Sequence, residues 1–242
     1  MITGRELEVV DVAIERAHGF LSTLLPNGVL VEGTARHLVA MLHGLIFWDL
    51  MQSHGRQPLA HGASVVIGDR RFMVTGHKGS GKTTLMLHLL AAGHRVEGDE
   101  HLVLQQDSVI ARPRTLRVKP GSFRIVENLP AGIATTPSFE QWDGSVIHAV
   151  SPALFGSPWS IREGRLDGMI FIQPNHGGRS IASKLSTDDA FTRLMQSVYL
   201  AGNSALMGTV QLRRLASERP AYLLRLGDLS GAEFHLRRLA AY

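Results

Sequence analysis

Residues 76–84 read Gly-His-Lys-Gly-Ser-Gly-Lys-Thr-Thr, and they leave a chain few ways to fold. The β-rich run "RFMV" precedes them and the helix-like run "TTLMLHLLAAG" follows, so the order is strand, glycine loop, helix. Gly76 to Thr83 match the P-loop spacing G-x-x-x-x-G-K-[ST]. Glycines at this spacing let the backbone curl into a nest whose N–H groups converge on one phosphate. The following helix adds the positive end of its dipole. Lys82 brings a flexible point charge to the β- and γ-phosphates of a nucleotide, and the Thr83 hydroxyl suits Mg²⁺. The expected cofactor-binding residues are Gly76, His77, Lys78, Gly79, Ser80, Gly81, Lys82, Thr83 and Thr84. The plainer alternative is a glycine-rich turn opening an ordinary helix. Lys78 stands four residues before Lys82, whereas partition-type ATPases carry their extra lysine five before, so that class does not fit.

Composition narrows the partners. The 242 residues, 44% of them hydrophobic, suffice for one large domain or a domain with a small appendage. A net charge of +4 with 12 histidines suits anionic ligands such as nucleotides. No basic block and too few aromatic residues argue against a nucleic-acid platform. With no cysteine, disulfides, cysteine nucleophiles and Cys–zinc sites are excluded. The N-terminus lacks a signal-peptide pattern, and "AMLHGLIFWDLM" is too short and interrupted to span a membrane, so a cytoplasmic protein is expected.

Periodicity sets the organisation. Thr3 and Glu6 have capping-box spacing, and Leu7, Val10, Ile14, Ala17, Leu21 and Leu24 then form a helical stripe ending near Pro26. A second helix is expected from Thr34 through Trp48. Residues 1–58 therefore read as a small helical N-terminal segment, and the 7–24 stripe permits a homo-oligomer. Residues 59–242 read as the catalytic domain. "SVVI" and "RFMV" read as a hairpin, Gly93 as a helix C-cap, and "HRVEGDEHLVLQ" as a strand. Residues 130–165 carry little periodic signal. "GMIFIQ" and "SIASKLS" are strand-like runs joined by a turn, "TDDAFTRLMQSVYLA" and 204–216 are helices, "AYLLRL" is a strand, and Ser230 with Glu233 makes a second capping box. Arg112, Arg114 and Lys119 could clamp an anion but fit solvated strand-edge positions better. His176 and Arg179 likewise fit a surface turn.

The span His61 to Leu104 resembles the catalytic domain of bacterial HPr kinase/phosphorylase and its HPr-kinase-like relatives. Three features carry the resemblance: "HGASVVIG" entering the loop through a hairpin, the helix ending in "AAGHRV", and the acidic pair Asp99-Glu100, similar to the family's G-H-R-L-V-x-D-D. "GRLDGMIFIQP", "LSTDDAFTRL" and "ARPRTLRV" are similar more loosely. The resemblance implies an α/β P-loop kinase domain with a mixed, partly antiparallel sheet. It implies Mg·ATP-dependent phosphorylation of a hydroxyl, a serine on a small protein or peptide. It also implies roles: Asp99 as base, His61 as its orienting partner, Glu100 with Thr83 at the metal, and Lys82 on the transferring phosphate.

Two departures from the family pattern stand out. The second acid is Glu100 rather than an aspartate. A later family signature places a glutamate before an Arg-Gly-rich segment, and "TLRVKPGSF", in the comparable place, has no acid. Two alternatives stay open beside the protein-serine kinase: a small-metabolite kinase on the same scaffold, and an ATP-binding switch or scaffold that transfers nothing.

Overall fold

The computed structural model describes residues 57–242, apart from 112–114, 141–143, 158–161, 201–204 and 242, together with the strand residues 14–17, 20–24 and 30–33. The chain forms two compact units, Met1–Ser53 and His54–Tyr242. In the first, β1 (Ile14–Ala17), β2 (Phe20–Leu24) and β3 (Leu30–Gly33) form an antiparallel sheet in that order. This corrects the helix expected over 7–24, whose described residues are strands. Ile14, Phe20 and Thr23 favour strand. Gly19 and Pro26-Asn27-Gly28 cut the run into strand-length pieces. The second expected helix, from Thr34 to Trp48, lies outside the described residues.

The second unit opens with the longest described strand, β4 (Leu59–Ile67), joined to β5 (Arg70–Gly76) through Gly68-Asp69. Gly68 has φ 59°, the left-handed conformation a two-residue hairpin turn needs. The glycine loop leads into α1 (Lys82–Ala91), which ends as expected at Gly93. Gly93 (φ 83°) donates to Leu90 O and His94 N–H to Leu89 O, the paired bonds of a Schellman motif. Next come β6 (Arg95–Gly98), β7 (His101–Leu104), β8 (Ser108–Ala111), β9 (Leu116–Val118) and the short α2 (Pro120–Phe123). The stretch without periodic signal holds β10 (Ser138–Glu140), β11 (Val146–Val150) and β12 (Glu163–Arg165). The chain closes with β13 (Gly168–Pro174), β14 (Ile181–Lys184), α3 (Thr187–Ser197), β15 (Val198–Tyr199), α4 (Ala205–Glu218), β16 (Ala221–Leu226) and α5 (Leu229–Ala240).

The large sheet runs β12-β8-β7-β4-β5-β13-β16-β14, with β6 and β15 also paired to β4. It is mixed: β5, β13 and β16 are mutually parallel neighbours, and the other pairs are antiparallel. A smaller antiparallel sheet orders β10-β11-β9. β13 and β14 do not form a hairpin with each other, because β16 lies between them. Period-two alternation sorts the core into two faces. Phe72, Val74, Ile170 and Ile172 pack with α1 residues such as Leu85 and Leu89 and with Leu236 of α5. Met73, Met169 and Phe171 pack with Leu194 of α3 and Leu212 and Leu215 of α4. The result is a sheet covered by helices on both faces, each fully buried large side chain contributing roughly 1.5–3 kcal/mol. Ser186 caps α3, accepting from Asp189 N–H. Asp228 rather than Ser230 caps α5, accepting from Gly231 N–H, and Glu233 is taken up by His88, His94 and Arg237. Among the described residues no helix is long and apolar enough to cross a membrane.

One buried ion pair ties three strands. Arg71 on β5 donates from Nε and Nη2 to the two oxygens of Glu97 on β6 (2.8 and 2.9 Å), and Ser64 on β4 donates to Glu97 Oε2 (2.9 Å). Burial pushes the Glu97 carboxyl up, but the hydrogen bonds from Arg71 and Ser64 outweigh it and hold it below the usual glutamate range. A depressed carboxyl adds stability above its unfolded pKa and loses it as pH falls through the folded one. Glu97→Gln is therefore expected to flatten the loss of stability below about pH 5, in urea melts run across pH. Arg71→Leu, which leaves the buried carboxylate only Ser64 and the more exposed Arg95, is expected to cost about 3 kcal/mol at pH 7 in the same melts.

Candidate functional site

The glycine loop leaves β5 at Gly76 and turns back on itself: Ser80 N–H donates to His77 O (3.1 Å). Gly79 and Gly81 take φ 84° and 90°, where a side chain would be strained. A Cβ on Gly81 would also lie 2.8 Å from Leu226 Cδ2. Gly81 is the N-cap of α1 and supplies no side-chain cap, and the first turn holds no acid. The first-turn N–H groups have no intrahelical acceptors, so this helix end offers donors and positive potential together. Ser80 Oγ is buried beside them without a hydrogen-bond partner among the described residues.

Lys82 does not extend into solvent. It is 7% exposed, and its Nζ lies 3.3 Å from Gly76 O and 3.3 Å from His61 Nε2. Burial pushes the ammonium below the usual lysine range, and the nearby charge of Asp99 restores only part of that shift. The backbone of His61 on β4 is tied to the neighbouring strand: its carbonyl accepts from Thr75 Oγ1 (2.9 Å) on β5.

The acidic pair sits in a break, not at the end of a strand. β6 and β7 both run antiparallel to β4, with Gly98 opposite Ser64 and His101 opposite His61. Asp99 and Glu100 fill the interval, where Gly62 N–H donates to Glu100 O (3.0 Å). The register shifts between Ser64 and Val65, an irregularity that re-aims the chain. β6 shares the direction of β5, but β4 lies between them, so the acids approach the loop across one intervening strand. Asp99 is 6% exposed.

Two site residues escaped the sequence reading. Arg117 on β9 comes within 3.9 Å of Glu100 Oε1, and burial lowers its guanidinium while Asp99 acts in the opposite sense. His101, 6% exposed, lies 3.9 Å from Glu100 Oε2, and its ring meets that of His61 edge-on at 6.3 Å. The visible signal for His101 was its place directly after the acidic pair. Arg117 was legible only as one arginine within the strand-like run "TLRV". Thr83 is half-buried in the first turn of α1, and Thr84 Oγ1 meets Ser122 Oγ of α2 at 2.8 Å. His77, Lys78 and Lys119 are exposed, as are His176 and Arg179 on the β13–β14 connection. Arg112 and Arg114 lie outside the described residues.

Beside the first limb of the loop opens a cleft of about 330 Å³, bordered by His61, Gly76, Lys78, Phe171, Arg193 and Tyr199 among others. His61 thus faces the cleft and touches Lys82. Among the described residues no cluster of three or more histidine and acidic side chains could hold a metal by itself.

No family profile matches the chain, and no curated protein matches it. Among solved structures it is similar to the HPr(Ser) kinase/phosphatase from Coxiella burnetii, at 14% identity and a TM-score of 0.35, over 75% of this chain and 89% of that one. This is a distant likeness of fold.

An ammonium held in low-dielectric surroundings weakens the fold that contains it. Lys82→Met is therefore expected to raise the stability of the ligand-free protein by about 1–2 kcal/mol, read as a higher Tm. A nucleotide phosphate is expected to raise the Tm of the parent more than that of this variant.

Proposed function

We propose that this protein is a Mg·ATP-dependent phosphotransferase acting on a hydroxyl, with a serine of a small protein or peptide as the leading acceptor. What carries the reading is the convergence of Lys82, His61 and Asp99-Glu100 near the uncapped start of α1. The residues fit the ligands. A helix end with free donors and no acid calls for an anion. Mg²⁺ keeps most of its ligands as water and phosphate oxygens, so Thr83 and Glu100 suffice without a protein cage. Bound there, Mg²⁺ would neutralise charge on the transferring phosphoryl group.

The chain's own residues supply the rest. The loop N–H groups and Lys82 hold the β- and γ-phosphates. Asp99 takes the proton from the acceptor hydroxyl as its oxygen bonds to the γ-phosphorus. The bond from that phosphorus to the β–γ bridging oxygen breaks, and ADP leaves. His61 orients the reacting groups from the cleft side. Glu100, steadied by Arg117 and His101, stays directed at the metal. The size of the cleft favours a second reading, a small-metabolite acceptor on the same machinery, since about 330 Å³ lies at the low end for small-molecule sites.

Asp99→Asn is expected to lower label transfer from ATP to acceptors in host extract by about 10²–10⁴-fold. Affinity for a non-hydrolysable ATP analogue should change by less than about threefold, well under 1 kcal/mol. Undiminished transfer would remove Asp99 from its role. Tight nucleotide binding with no transfer by the unaltered protein would leave the ATP-binding switch.

A further inference from the structure

The cleft has a chemical bias that the phosphate loop does not explain. Its inner end is His61, in contact with Lys82, so whatever fills it abuts the terminal phosphate. Its floor is Phe171 and Ile172 of β13, and its far wall is α3 and β15, which belong to the sheet face opposite α1. Lys78, Arg193 and Gln196 stand around it, and among the described residues no aspartate or glutamate lines it. Arg193 is half-buried and makes no ion pair among the described residues. The nearest acid on its own helix face, Asp189, is engaged with Ser186 Oγ (2.6 Å). A half-buried guanidinium facing a concave space without described acids keeps donors available for an anion. Its planar fork matches a carboxylate or a phosphate monoester.

Resting on the phosphotransferase reading, we propose that the acceptor carries an anionic group, a carboxylate or phosphate ester, next to the hydroxyl that is phosphorylated, and that Arg193 binds it. The hydroxyl then lies at the His61 end, and the anion lies toward α3. The apolar floor takes a short carbon skeleton, and Gln196 provides a neutral hydrogen-bonding partner. The phosphates of ATP occupy a different set of donors, the loop N–H groups and Lys82, so both anions are held at once. A protein acceptor would have to present a projecting serine whose C-terminal carboxylate, or a neighbouring residue's carboxylate or phosphate, reaches Arg193.

Binding tests this without requiring turnover. The full chain is saturated with Mg²⁺ and a non-hydrolysable ATP analogue, which fills the phosphate loop. Calorimetry then compares N-acetylserine with N-acetylserine methylamide, and glycerol 3-phosphate with glycerol, so that carboxylate and phosphate are separate arms. At least one anionic probe is expected to bind about 10- to 100-fold tighter than its neutral partner, the range of a charge-assisted hydrogen-bonded pair. Arg193→Met should abolish the preference, and Arg193→Lys should restore part of it. Binding of the ATP analogue to each variant reports whether the fold is intact. Equal binding of charged and neutral probes, no binding of any probe, or an unchanged preference in Arg193→Met would each overturn the proposal. So would an anionic probe that binds only without the analogue, because it would then be occupying the phosphate loop. Label transfer to the same probes reports separately on the phosphotransferase reading, whose failure would leave these affinities in place.

Discussion

An ammonium taken out of water is unfavourable unless something anionic meets it, and the structure around residues 76–101 is arranged about that fact. Lys82 sits 7% exposed against one carbonyl and one imidazole, neither of which carries negative charge. Asp99 compensates in part through space. Lys82 therefore stays only partly compensated, beside a helix end with no acid in its first turn. A phosphate would answer both at once, which is why the proposed function places one there.

The deficit has a definite location because of β4. This strand pairs with the loop's strand on one side and, on the other, with the two short strands that bracket Asp99-Glu100. His61 and Gly62 therefore lie between the two halves of the site. Gly62 admits no larger residue, since a Cβ there would stand 2.8 Å from Val74 O. The close backbone approach at Gly62 and the broken ladder at 99–100 are two local departures from regular sheet that together bring carboxylates toward a lysine from a non-adjacent strand.

Much of this was legible in residue order, and the parts that were not share a cause. The loop, its flanking strand and helix, the Gly68 turn and the Gly93 cap depend on contacts a few residues apart, and the sequence carries those signals directly. The mixed sheet was expected as well, with its hairpin entry. The N-terminal strands were missed because Leu7 through Leu24 satisfy a helical period while Gly19 and the Pro26-Asn27-Gly28 turn signals argue for strands. The insertion of β16 between β13 and β14 could not be read, since nothing local records which strand returns to which neighbour. Arg117 and His101 were passed over for the same reason: both become part of the site only through pairing across β4 or packing from a separate small sheet. Asp228 displaced Ser230 as the cap of α5 because two cap-type residues stand two positions apart and only the folded backbone chooses between them.

The ten-stranded sheet also ends in a telling way. One margin is β12, three residues long with Glu163 and Arg165 exposed, and the other is β14, four residues long, bearing Lys184 and flanked by α5. Short, charged or sheltered borders make poor templates for a strand from another molecule. Self-association that extends this sheet is therefore disfavoured at both described margins.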